Sequence, residues 1–214
     1  MTITSSRFKG RFITFEGGEG AGKSTQLKRL AESLRQRGIE VVTTREPGGS
    51  PGAEQIRGLL VSGEPDRWDG MTEALLHFAA RRDHLRATVW PALEAGKWVL
   101  CDRFADSTLA YQGYGHGLPH ETIRDLYRLT VGDFAPDLTL ILDLPVEAGL
   151  NRAGARGGSE DRYEKMGHAF HQRLRDGFLT IAAEEPRRCA VVPADQSEDK
   201  AAAAILAVVD ERLV

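Results

Sequence analysis

Residues 15–25 read FEGGEGAGKST, directly after the apolar-leaning run RFITF at residues 11–15. Residues 17–24 fit G-x-x-x-x-G-K-[ST], and the motif follows a strand-like segment and opens a helix-like one. Gly17, Gly18, Gly20, Ala21 and Gly22 carry so little side chain that backbone N–H groups can curl around phosphate oxygens, and the helix N-terminus adds partial positive charge. Lys23 would then reach the β- and γ-phosphates of a bound nucleotide, the Ser24 hydroxyl would ligate Mg²⁺, and Thr25 stands beside it. Glu19 does not fit a loop that holds only phosphates, because a carboxylate facing them would be repelled. It must turn toward a hydroxyl donor or a hydrated metal, which implies a second substrate beside the nucleotide.

Outward from this loop, strand and helix patterns alternate. One helical face carries Leu27, Leu30, Ala31 and Leu34 and stops at Gly38; residues 39–44 are β-branched and strand-like. Turn signals (PGGSPG) precede a short helix over 53–60, and a longer helix over 72–95 is kinked by Pro91 and stopped by Gly96. Strands follow at 97–101, 138–142 and 189–192, with helices at 119–130 and 199–213. Tyr163, Met166, Phe170, Leu174, Phe178 and Ile181 trace a further helical stripe. LTLIL at 138–142 is the near-continuous apolar run of a strand buried on both faces. Strands joined by helical crossovers predict an α/β fold, a five-stranded parallel sheet with helices on both faces, in a single domain spanning 1–214.

The totals narrow the function. The 214 residues carry 28 Lys and Arg against 31 Asp and Glu, a net charge of −3, so no basic footprint for nucleic acid or a membrane surface is expected. No apolar run approaches a membrane span, and MTITSSRFKG lacks an apolar signal core. Cys101 and Cys189, each among apolar neighbours, read as small buried hydrophobes of a reducing compartment. A cytoplasmic protein is expected.

Two further motifs make the reading specific: TREPGG at 44–49 and DRFADSTLAYQG at 102–113, the second directly after a predicted strand. Carboxyl ends of parallel strands are where such sheets bind ligands, and Arg103 offers a planar fork for phosphate. With EGGEGAGKST, these segments resemble the bacterial thymidylate kinases over residues 11–195. The resemblance implies the P-loop NTP hydrolase fold of nucleoside monophosphate kinases, and transfer of the γ-phosphoryl of ATP to dTMP. It also implies Mg²⁺ and a homodimer packed through helices. Arg103 would span donor and acceptor phosphates, Ser107 and Thr108 would lie near the thymine edge, and Tyr111 would fill the space of a ribose 2′-hydroxyl. Gln112 would shape the same pocket, and Asp102 would stand behind the metal's own ligands. Glu19 gains its partner, the 3′-hydroxyl of the acceptor sugar. Arg45, Glu46 and Pro47 become candidates for the acceptor site, and Arg57 for its phosphate.

The family pattern of an aromatic residue followed four positions later by arginine, one helical turn apart, fits HFAARRDH at 77–84 in two registers. These are His77 with Arg81, favoured by counting back from Pro91, or Phe78 with Arg82. The first replaces the usual phenylalanine by histidine. At 151–164, NRAGARGGSEDRYE is expected to be a lid closing over ATP. Gly20 stands where some relatives carry an arginine, which leaves the lid to supply positive charge: Arg156 first, then Arg152 and Arg162. Residues 194–195, after the last strand, mark a neighbourhood for adenine. A guanine-specific switch would want N-K-x-D, yet the only asparagine is Asn151, followed by Arg152; a hydrolytic motor often has Glu after its second-strand Asp, yet Asp143 is followed by Leu144 and Pro145.

Overall fold

The computed structural model describes residues 8–64, 66–156 and 162–214, with the Arg156 side chain outside that set. Five parallel strands form one sheet: β1 (Phe12–Glu16), β2 (Val41–Arg45), β3 (Trp98–Asp102), β4 (Leu138–Asp143) and β5 (Cys189–Pro193), in the order β2-β3-β1-β4-β5. β1 is central and buried along its whole length, paired through Phe12↔Val99 on one side and Ile13↔Leu138 on the other. Its period-2 alternation feeds two cores. Ile13 and Phe15 pack with Leu27, Leu30 and Leu34 of α1 (Lys23–Gln36) and with Ile205 and Val209 of α9 (Glu198–Leu213). Phe12 packs oppositely with Phe78, Leu85, Val99 and Phe104. The strands sit within two residues of their expected limits. Cys101 and Cys189 are buried and unpaired.

Between the strands, α2 (Pro51–Leu60) starts at Ser50, whose Oγ accepts from Ala53 N, with Pro51 in the first turn. α3 (Gly70–His84) starts at Asp69, whose Oδ1 accepts from Thr72 N at 2.6 Å. The long helix predicted over 72–95 is α3 continued by a π-helical turn, Leu85–Val89, and α4 (Trp90–Glu94). Pro91 lacks an N–H and would crowd the carbonyl of residue 87 in an unbroken α-helix; the wider π turn precedes it.

The sequence reading missed a helical stretch after β3, where α5 (Ala105–Thr108) runs into a π segment, Leu109–Gly115. Helices α6 (His120–Thr130), α7 (Val146–Arg156) and α8 (His168–Glu184) complete the layers. Tyr163 and Met166, expected in the helical stripe, stand in turns before α8 begins. Strand order reverses at β1 and β3, and the carboxyl ends of those two strands carry the phosphate loop and Asp102–Arg103. That is the crevice in which such sheets bind ligands.

Candidate active site

The loop between β1 and α1 closes with Gly22 as N-cap, at φ 86° and with no side-chain hydrogen bond to the first turn. Helices α2, α3 and α9 all use a Ser or Asp cap, so α1 alone among these four leaves its leading amides to another partner. Lys23 is 7% exposed and its Nζ donates to the carbonyls of Gly17 (3.0 Å) and Gly18 (2.8 Å), folded back into the loop. Burial, then Arg103, brings its pKa down to about 8. Ser24 Oγ donates to Asp102 Oδ2 at 2.5 Å, bringing a hydroxyl and a carboxylate together at the loop's outer edge. Hard oxygens of this kind suit Mg²⁺, which takes few protein ligands and keeps phosphates and waters. Among the described residues no group of three His, Cys, Asp or Glu is arranged to hold a metal alone.

One cleft is lined by Glu19, Lys23, Ser24, Asp102, Arg103, Ser107, Tyr111 and Gln112 and continues to Glu46, Pro47, Arg57 and His77. At its centre Arg103 Nη2 donates to Glu19 Oε1 at 2.8 Å, the Tyr111 hydroxyl donates to the same oxygen at 2.6 Å, and Arg103 Nη1 donates to Gly17 O at 3.2 Å. The guanidinium also lies 5.1 Å from the Tyr111 ring centre. Burial alone would raise the Glu19 pKa; Arg103, Lys23 and the Tyr111 hydroxyl outweigh it and hold the group at about 2. Glu19 is therefore a carboxylate throughout the neutral range, and its charge is already offset by Arg103 when phosphate arrives.

Arg103 is the only non-glycine among the described residues with positive φ, at 71°. That conformation costs about 1–2 kcal/mol. It is held from both sides: Arg103 N donates to Phe15 O at 2.9 Å and Phe104 N to Glu16 Oε1 at 2.7 Å.

At the far end the two registers separate. His77 lines the cleft, while Phe78 is 1% exposed in the core. Arg81 stands behind the wall at 2% exposure, whereas Arg82 is exposed and donates to Thr130 O at 3.1 Å. Arg81 Nε donates to Glu46 Oε2 at 2.7 Å, and its Nη2 donates to Phe104 O and Thr108 Oγ1, both at 3.0 Å. Thr108 thus holds Arg81 and does not itself line the cleft. Burial, then Arg81 and Arg103, pushes the His77 pKa down to about 3, so the ring is neutral and serves as an aromatic face. Arg57 Nη1 donates to Pro47 O at 2.7 Å at the cleft's edge, and Arg45, also on the cleft lining, pairs with Glu54 at 3.2 Å.

The expected lid lies partly outside the described residues, namely 157–161 and the Arg156 side chain; the helical backbone of α7 reaches Arg156. Of the other two arginines, Arg152 Nη1 donates to Ala194 O at 3.3 Å, beside the expected adenine neighbourhood. Arg162 is 0% exposed and faces inward: Nη2 pairs with Glu73 Oε1 at 2.5 Å and Nε donates to Glu64 O at 2.9 Å. Gly20, at φ 68°, abuts α7 so closely that a Cβ there would lie 2.1 Å from Gly149 O. The loop has no room for an arginine at position 20 without a backbone shift.

Three residues escaped the sequence reading. Tyr163 lines the cleft, its ring 5.2 Å from Tyr111 and its hydroxyl 3.2 Å from His77 Nε2. Glu73 underlies Gln112. Glu16, fully buried, accepts from Phe104 N and from Ser107 Oγ at 2.5 Å, clamping the turn that carries Arg103. An acidic residue closing the apolar-leaning run FITF was the available signal for Glu16.

Burial and nearby Asp106 raise the Glu16 pKa to about 7 from 4.5. The folded state therefore binds a proton that the unfolded state releases, and the stabilising contribution is complete below about 4.5 and lost as pH rises through about 7. Glu16→Gln mimics the protonated form. Its Tm relative to the parent is expected to rise between pH 5 and pH 8; a constant difference would refute the buried-acid assignment.

Three comparisons bear on this site. The family model described as thymidylate kinase matches residues 15–205. The thymidylate kinase of Caulobacter vibrioides is 58% identical over 96% of this chain and 98% of its own length. That of Bradyrhizobium sp. is 54% identical over 96% of this chain and 92% of its own length. The crystal structure of thymidylate kinase from Ehrlichia chaffeensis superposes with a TM-score of 0.75 at 37% identity, covering 94% of this chain and 98% of that one.

Proposed function

The chain belongs to the thymidylate kinase family, and on that premise we propose how its cleft performs the family reaction. The enzyme transfers the γ-phosphoryl of ATP to dTMP, giving dTDP and ADP, a step toward dTTP. In our reading the loop from Gly17 to Thr25 wraps the phosphates of ATP, with Lys23 released from its carbonyl partners to meet them. Arg103 lies across the junction of donor and acceptor phosphates. Glu19 accepts from the 3′-hydroxyl of dTMP, Tyr111 walls off the 2′ position, and His77 stacks on the base. Ser107 and Gln112 face the base edge, and Arg81, held by Thr108, reaches it from behind that wall, while Glu46, Pro47 and Arg57 border the acceptor.

The nucleophile is a phosphate oxygen of dTMP, ionised near neutrality, so no protein base is needed; positioning and charge neutralisation carry the step. Mg²⁺ held by Ser24, with Asp102 behind it, would neutralise charge on the β- and γ-phosphates. Arg156, from the lid, would add charge at the transferring group, and closure would exclude water that otherwise takes the phosphoryl.

We further propose one catalytic domain with a lid over about 151–164, acting in the cytoplasm. No helix among the described residues is long and apolar enough to cross a membrane. Assembly as a homodimer is part of the same reading, with exposed Leu75 on α3 and Leu129 on α6 as surfaces to cover; light scattering at the mass of one chain would exclude it.

The observation that carries the acceptor assignment is Glu19 bonded to both Arg103 and Tyr111 beside the phosphate loop. The test is a panel of dTMP, dUMP, UMP and AMP with Mg·ATP, reading ADP. dTMP should dominate; preference for another monophosphate would refute it. Within this panel Arg81→Ala should raise the KM for dTMP by at least about 10-fold, through loss of a charged donor at the base, while exposed Arg82→Ala leaves it unchanged. The reverse would support the other register.

A further inference from the structure

At and behind the wall of the cleft's base end, Arg81 Nη1, a donor, and Gln112 Oε1, an acceptor, are buried without a hydrogen-bond partner, and Glu73 Oε1 beside them has only its ion-pair contact with Arg162. Gln112 is 0% exposed yet contributes to the cleft wall. Its amide has a donor arm and an acceptor arm of nearly the same shape, so a neighbour must decide which one turns toward the ligand. That neighbour is Glu73, 0% exposed, whose Oε2 accepts from Gln112 Nε2 at 2.8 Å. A carboxylate offers only acceptors, so the amino arm is drawn to Glu73 and the carbonyl arm is turned away.

The remaining surroundings of Glu73 reinforce this polarity. Arg162 Nη2 lies 2.5 Å from Oε1, the Tyr163 hydroxyl donates to Oε2 at 3.3 Å, and His116 Nε2 approaches Oε2 to 3.6 Å. Arg162 also donates to the carbonyls of Leu60 (3.3 Å) and Glu64 (2.9 Å), so the carboxylate is fixed by a group that is itself anchored at the end of α2.

We propose that Glu73 is a specificity-determining positioning residue. Without touching the nucleotide, it holds the Gln112 amide in the orientation that presents an acceptor to the imide N–H of a thymine or uracil ring. Cytosine has an acceptor nitrogen at that position and an amino group where thymine has the carbonyl that would meet the spare donor of Arg81. Both contacts then become mismatched, acceptor against acceptor and donor against donor. This inference rests on the reading of the cleft as the dTMP site.

The test measures kcat/KM for dTMP and for dCMP, with Mg·ATP, on the parent enzyme, Glu73→Gln, Gln112→Leu and the double variant. A glutamine at 73 can donate or accept, so it no longer dictates the amide's orientation. The dTMP:dCMP ratio should fall at least about 10-fold in each single variant, a modest share of what a site built for hydrogen bonding can discriminate. The double variant should show no further fall, because Glu73 acts only through Gln112. Taking the ratio on one preparation cancels the fraction of folded enzyme.

An unchanged ratio in Glu73→Gln, or effects that multiply in the double variant, would overturn the proposal. Should Glu73→Gln fail to fold, Glu73→Asp keeps an acceptor-only group and must hold the ratio within about twofold; a larger fall there would overturn it too. A parent enzyme that phosphorylates neither nucleotide would refute the reading of the cleft itself, and this inference with it.

Discussion

Arg103→Ala is expected to lower kcat/KM for dTMP by at least about 10³-fold, the scale of an arginine that stabilises a transferring phosphoryl group. Three losses coincide at this residue. The junction between the phosphates loses its planar double donor. Glu19 loses the partner that does most to offset its charge, so its carboxylate repels the incoming phosphate. Tyr111 loses the cation over its ring.

The fold should survive, and a companion variant shows why. Position 103 sits at φ 71°, where alanine is strained and glycine is not. Arg103→Gly should therefore be about 1 kcal/mol more stable than Arg103→Ala in denaturant titration and equally inactive. If Arg103→Gly kept parental activity, the side chain would have no part in the reaction.

Arg156→Ala is expected to lower kcat by roughly 10³-fold with little change in the KM for dTMP, because the lid arginine is assigned to the transition state rather than to substrate binding. The neighbouring positions are otherwise engaged. Gly20 cannot carry a side chain against Gly149 O, and Arg162 is turned inward onto Glu73. Arg152 reaches the Ala194 carbonyl. Single-turnover kinetics would separate chemistry from product release; a parental rate of transfer would remove Arg156 from the role.

The sheet was legible in the sequence because a parallel, doubly covered strand such as LTLIL has no polar face to confuse its reading. The loop at 15–25 was legible because backbone wrapping leaves a glycine pattern that chance seldom produces. The stretch from Ala105 to Gly115 was not, because α5 is a single turn and the π segment breaks the 3.6-residue period on which helix recognition relies. Its consequence is functional, since it carries both Tyr111 and Gln112 into one wall. The Arg81–Glu46 pair, with His84 Nδ1 2.9 Å from Glu46 Oε1, joins segments more than thirty residues apart. The motif points REPGG to the acceptor site; in the structure Glu46 lines the cleft and also anchors Arg81, a second task its sequence does not announce. Glu73 was invisible because an acidic residue on an α-helix reads as solvated surface until the fold buries it.

The central claim is that the groove between Arg103 and the phosphate loop is the acceptor site, with Glu19 facing the sugar. Its most direct test is a crystal structure of the protein soaked with dTMP. The account predicts phosphate density against the Arg103 guanidinium and the 3′-hydroxyl within hydrogen-bond distance of a Glu19 carboxylate oxygen. Thymidylate bound elsewhere, with that groove empty, would contradict it.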